Sequence, residues 1–257
     1  MEISLAEKVS QNPKLLENFN LEEKEELKYS WEFWGRPKQL EPKELYFTWL
    51  VLSGRGFGKT WLGSQWVLSK AKKFPKCHIA LIGESAADVR DIQIEKGSSS
   101  ILKIASPKFF PVYEPSKRSL TFPNGSIATA YSADKPDLLR GPNHHFIWMD
   151  ELAKYRNYQE IYDMAMFGLR LGDFPQLLIT TTPKPIQLLK DIIKDKKTFV
   201  TNGSTYENRN NLAGSFLEII KSKYENSSLG QQELYGILLE ESEGALFSRK
   251  LIDETRR

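Results

Sequence analysis

The sequence predicts an α/β fold: a mostly parallel, doubly wound central sheet flanked by helices, plus a small helical subdomain. Three observations carry that prediction. Short β-prone runs alternate with helical patterns between residues 46 and 181, as in strands linked by crossover helices. A glycine-rich loop joins the first of those runs to the first helix, where the backbone must turn tightly. After Thr205 the pattern becomes helical throughout.

The elements follow in order. The first thirty residues are charged and helical, with Asn12-Pro13 as a cap and first helical position and no glycine before Gly35. An aromatic cluster (Tyr29, Trp31, Phe33, Trp34) runs into residues 36–42, which Pro37 and Pro42 make an extended loop. Residues 46–52 form a strand that stops at Ser53-Gly54, and Trp61, Leu62, Trp66, Val67 and Leu68 give the next helix its apolar face. A second strand spans 78–82 and a helix 86–94. Pro123-Asn124-Gly125 turns a hairpin within 119–131. Residues 146–149 and 177–181 are buried strands, with a helix over 158–169 between them. Helices over 212–224 and 229–239 make the accessory subdomain. The division expected is a core over 30–206, and 1–29 together with 207–257 as the helical accessory part.

Composition bounds the rest. A chain of 257 residues holds one large α/β domain with a small appendage, and 40% hydrophobic with 27% charged residues excludes disorder. Net charge of +3 permits nucleic-acid contact, with a mixed solvated surface as the plain alternative. The single Cys77 excludes an internal disulfide and fits a reducing cytoplasm; with three histidines it argues against structural zinc. No apolar stretch is long enough to span a bilayer, and no secretion signal opens the chain.

The strongest motif is Ser53-Gly54-Arg55-Gly56-Phe57-Gly58-Lys59-Thr60, lying between strand and helix. Its glycines let the backbone wrap a phosphate and aim N–H groups at the oxygens. Lys59 reaches the β- and γ-phosphates of ATP, and the Thr60 hydroxyl can ligate Mg²⁺. The usual pattern opens with glycine; here Ser53 stands there. The second motif is an apolar strand that ends in Asp150-Glu151. Asp150 would hold the Mg²⁺ through water, and Glu151 would polarise the attacking water. Two arginines could answer the charge that builds on the transferring phosphoryl group: Arg55 within the loop, and Arg140, exposed by Gly141-Pro142. Thr180-Thr181-Thr182-Pro183 ends a strand that could sit beside the catalytic one and sense the γ-phosphate. His144-His145 read as packing residues, and residues 190–197 as a solvated helix end with DNA phosphates as the other reading.

In this order the elements resemble the ATPase domain of the tailed-phage terminase large subunit. The resemblance also rests on residues 34–42, Leu139-Arg140-Gly141-Pro142, residues 203–208 and residues 231–236. It implies an ASCE-type P-loop NTPase in which Arg36 and Gln39 lie near the adenine and Thr180, Thr181 and Thr182 couple hydrolysis to motion. It implies that Arg140 serves a neighbouring subunit, with Arg55 assisting in cis. The family works in the host cytoplasm as a ring, usually of five subunits. That ring docks on the capsid portal protein, is served by a terminase small subunit, and drives double-stranded DNA into a procapsid without a membrane partner. Full-length members carry a C-terminal nuclease; with Gly244-Ala245-Leu246-Phe247 so near the end of the sequence at Arg257, no nuclease activity is expected. A helicase-like translocase is disfavoured because it needs a second core domain, and a non-hydrolysing nucleotide-binding module because Glu151 and the two arginines would be idle.

Overall fold

The computed structural model describes residues 3–239. Capping boxes set the first two helices. Ser4 and Asn20 each accept the N–H of a glutamate three residues on, Glu7 or Glu23, and that carboxylate accepts the cap's own N–H. They start α1 (Leu5–Gln11) and α2 (Leu21–Leu27). α3 (Trp31–Trp34) buries Trp31 against Trp49. The segment expected to be extended holds one 3-10 turn, Pro37–Gln39, whose proline supplies a preset φ.

The core then alternates. It comprises β1 (Thr48–Ser53), α4 (Lys59–Lys73), β2 (His78–Gly83) and α5 (Ala86–Asp88), which runs on as a π-helical turn, Val89–Glu95. After α6 (Ile101–Ile104) come β3 (Val112–Glu114), β4 (Ser119–Thr121) and β5 (Ile127–Ser132), an antiparallel meander. The expected hairpin is β4–β5, turned at Gly125 with φ of 82°. β6 (Phe146–Asp150), α7 (Tyr158–Gly168), β7 (Gln176–Thr181), α8 (Gln187–Lys194) and β8 (Thr198–Gly203) complete the alternation. α9 (Gly214–Tyr224) and α10 (Ser228–Glu233) follow.

The sheet order is β3-β4-β5-β2-β6-β7-β1-β8, parallel from β5 to β8, so the doubly wound, mostly parallel sheet is present. β7 lies between the strand that feeds the glycine loop and the strand that ends at Asp150. Thr180 is in register with Val51 on one side and Asp150 on the other. Apolar residues on both faces bury the central strands, with Trp49, Trp66 and Trp148 in one cluster and Leu50, Met149 and Ile179 in the other.

Several elements differ from expectation. β8 and β3 were not anticipated: β8 is a half-buried edge strand without a continuous apolar run, and β3 has three residues. The helix expected over 229–239 stops at Glu233, because the chain turns through Gly236 at φ of 67° to lay its backbone against Ser53 and Gly203. The helix expected over 86–94 is α5 plus the π-helical turn. Residues 240–257, including the stretch where a nuclease was expected to begin, lie outside the described residues.

α4 crosses the sheet so closely that a Cβ on Gly63 would overlap the Trp148 indole. Alanine normally stabilises an interior helical position by about 1 kcal/mol. Here Gly63→Ala is expected to destabilise by about 1–3 kcal/mol, the usual result of overpacking. Denaturant titration checks the sign; a gain in stability would mean that α4 and β6 do not pack this closely.

Candidate nucleotide site

The loop after β1 turns on two glycines. Gly56 and Gly58 take φ of 75° and 97°, a left-handed geometry that side chains rarely adopt. Gly58 caps α4, and Lys59 and Thr60 are its first two residues, where free N–H groups and the helix dipole favour an anion. Lys59 is buried, and its Nζ donates to the carbonyls of Ser53 (3.2 Å) and Gly54 (3.3 Å) and to Thr182 Oγ1 (3.0 Å).

The two carboxylates sit in different surroundings. Asp150 is buried at the end of β6, and Thr180 Oγ1 donates to its Oδ1 at 2.7 Å. Burial, then the neighbouring Glu151, push its pKa up to about 6. Glu151 breaks the strand at φ of 59°, a backbone geometry that costs a non-glycine residue about 1–3 kcal/mol. The turn brings its Oε1 to 3.4 Å from Lys59 Nζ, while its Oε2 accepts the Thr182 N–H at 3.1 Å. Thr181 Oγ1 accepts the Ala153 N–H at 3.1 Å. The three threonines therefore tie the loop lysine, both carboxylates and the segment after β6 to one strand end. The oxygen donors of Thr60 and Asp150 suit Mg²⁺, which takes one or two protein oxygens and completes its shell with phosphates and water. Among the described residues no cluster of three or more His, Cys, Asp or Glu side chains could hold a metal by itself.

The two arginines are held in ion pairs of their own. Arg55 is exposed, and its Nε donates to Glu233 Oε2 on α10. Thr205 Oγ1 donates to the Arg55 carbonyl at 2.6 Å, and the Arg55 N–H to the Glu233 carbonyl at 2.7 Å. Gly54 lies so close to the Leu234 carbonyl that no side chain fits there. Arg140, just past a 3-10 turn (Pro136–Leu139), is 63% exposed and pairs with Asp137 at 2.8 Å.

Arg36 and Gln39 hold the loop rather than standing free. Arg36 donates to the Phe57 carbonyl and to Asn208 Oδ1, and its guanidinium lies over the Phe57 ring at 5.2 Å. Gln39 is buried, donates to the same carbonyl at 3.0 Å and accepts the Arg36 N–H at 3.3 Å. Both line a cavity of about 700 Å³ with Gly56, Gly58, Trp61 and Asn208, a size suited to a nucleotide. Sequence reasoning gave no role to Asn208, Thr205 or Glu233, although the first two stand in the segment 203–208 and the third in 231–236, both singled out for their resemblance. His144 is buried beside Tyr131, and burial lowers its pKa to about 4, in keeping with packing. Lys194, Lys196 and Lys197 are exposed.

Comparison with known proteins agrees with this architecture. The ATPase domain of the large terminase of Thermus phage P74-26 superposes with a TM-score of 0.59 at 14% identity, over 77% of this chain and 90% of that one. The large terminase of a thermophilic bacteriophage, in complex with ADP, gives 0.65 at 16% identity, over 84% of this chain and 53% of that one. The same phage protein in complex with ATP-gamma-S gives 0.63 at 16% identity, over 84% and 52%. The chain thus spans about half the length of that second terminase. No curated protein matches the sequence. Residues 50–254 match the family described as terminase large subunit, T4likevirus-type, N-terminal. With most of its length matched, the chain belongs to the terminase large subunit family, of which it matches the N-terminal part.

Proposed function

We propose that this chain binds ATP with Mg²⁺ and hydrolyses it, as the motor that drives double-stranded DNA into a procapsid. The observation that carries the reading is the meeting of Lys59 Nζ, Glu151 Oε1 and Thr182 at 3.0–3.4 Å, beside a helix N-terminus. A passive nucleotide binder needs the loop and the lysine. It does not need a carboxylate held on a strained backbone next to them.

In this reading the amides of residues 56 and 58–60, together with the Lys59 ammonium, hold the β- and γ-phosphates, while the Gly54 and Arg55 N–H groups stay on the Gly203 and Glu233 carbonyls. The adenine side of the nucleotide lies toward the cavity lined by Arg36, Gln39 and Trp61. Thr60 and Asp150 would hold Mg²⁺, which would supply neutralising charge for the phosphates. Glu151 draws a proton from water as the water oxygen bonds to the γ-phosphorus and the bond to the β-phosphate oxygen breaks, leaving ADP and phosphate. Thr180 to Thr182 report the state of that centre to β7. Arg140 acts on a neighbouring copy, and Arg55 acts in cis. The copies meet as a ring on the portal protein, in the host cytoplasm, with the small subunit as a further partner.

Lys59→Ala is expected to weaken ATP binding by about 10- to 150-fold, the loss of a charge-assisted bond of about 1.5–3 kcal/mol. Titration with a fluorescent ATP analogue measures it; unchanged affinity would remove Lys59 from the phosphate site.

A further inference from the structure

Gln93 stands beside the two carboxylates, and neither the sequence motifs nor the proposed mechanism uses it. It is 1% exposed. Its Nε2 donates to the Ile82 carbonyl at 3.2 Å, which fixes the orientation of the amide, since a flipped group would set two oxygens against each other. Its Oε1 has no hydrogen-bond partner among the described residues. A buried carbonyl oxygen without a donor costs about 1–3 kcal/mol, so native proteins rarely keep one without a reason.

Gln93 lines a small cavity of about 60 Å³, together with Glu84, Asp88, Asp150, Glu151 and Lys154. A water needs about 10–15 Å³ of such space and two or more polar partners, so the cavity suits water. The anchor is firm. The Tyr155 hydroxyl lies 2.9 Å from the same Ile82 carbonyl and 2.8 Å from the carbonyl of Asp150. Gln93 also stands on the π-helical turn, a rare geometry found mostly at functional sites. The wide turn, closed by the Lys96 N–H on the Asp91 carbonyl at 2.9 Å, points Gln93 and Ile94 inward together with Val89.

We infer that Gln93 is a positioning residue for hydrolysis: its Oε1 accepts from a water that also donates to the Asp150–Glu151 carboxylate pair. That water orients the carboxylate pair from the cavity side and offers a path for the proton that Glu151 takes up. The inference rests on the hydrolytic reading above.

The test is Gln93→Met, which keeps length and volume and removes the acceptor. Turnover is expected to fall about 10- to 100-fold, the scale of a misplaced reacting group. KM for ATP is expected to stay within about twofold, because the phosphate loop is untouched, and thermal stability to change little, because the Tyr155 hydroxyl still reaches the Ile82 carbonyl that Gln93 Nε2 leaves. Unchanged turnover would overturn the inference. So would a joint fall of turnover and stability, the mark of a packing role. Should the methionine variant fail to fold, Gln93→Leu carries the test, since it also removes the acceptor from the cavity. A fall of turnover of at least about tenfold at unchanged KM supports the water, and wild-type turnover refutes it. A wild-type chain that binds ATP but never hydrolyses it, even when assembled, refutes the hydrolytic reading instead and takes this inference with it.

Discussion

Arg140→Ala is expected to lower ATP turnover by about 10³ to 10⁵ in assembled protein, the range measured for arginines that insert into phosphoryl-transfer sites. The guanidinium is available for such a role. Its partner Asp137 is itself 83% exposed, and an exposed pair of this kind is worth about 0–1 kcal/mol, so a phosphate can displace it. Gly141 at φ of 108°, with nothing near the position of a Cβ, leaves the loop room to move. Turnover per subunit against protein concentration gives the first check: wild type rises, and the variant stays flat. Mixing gives the decisive one. A subunit with Arg140→Ala keeps its Glu151, and one with Glu151→Gln keeps its Arg140, so mixed assemblies regain turnover if the arginine crosses between copies. No gain on mixing would move the role to Arg55 in cis.

Glu151→Gln is expected to lower kcat by about 10² to 10⁴, the usual contribution of a general base, while ATP binding persists. The amide keeps an oxygen for the Thr182 N–H, which Glu151 Oε2 accepts at 3.1 Å, so the strand end and the phosphate loop stay in place. What disappears is the negative charge that can take a proton. Single-turnover hydrolysis beside nucleotide titration separates the two effects; retained turnover in a clean preparation would remove Glu151 from the chemistry.

The parts legible in the sequence were those whose physics is local. A run such as 146–149 followed by two carboxylates, or three alternate glycines before Lys59, declares both its conformation and its chemistry within a few residues. β8 was not legible, because an edge strand with one face toward solvent lacks a continuous apolar run. The pairs Arg55–Glu233 and Arg36–Asn208 join residues 178 and 172 positions apart, and nothing local encodes such a meeting. Gln93 was hidden for a different reason: in a helix of ordinary pitch its position carries no distinctive spacing, and the π-helical turn makes it inward-facing.

The place of β7 between β1 and β6 has a dimensional consequence. Neighbouring strands stand about 4.8 Å apart, so the backbones that carry the lysine loop and the paired carboxylates are about 9.6 Å apart. Direct neighbours would leave a gap narrower than a phosphoryl group with a water in line behind it. One strand of spacing opens a slot of that width, and long side chains such as Lys59 and Glu151 reach across it from opposite walls. The intervening strand is thus a spacer, and Thr180 and Thr182 at its end link the two walls through Asp150, Glu151 and Lys59.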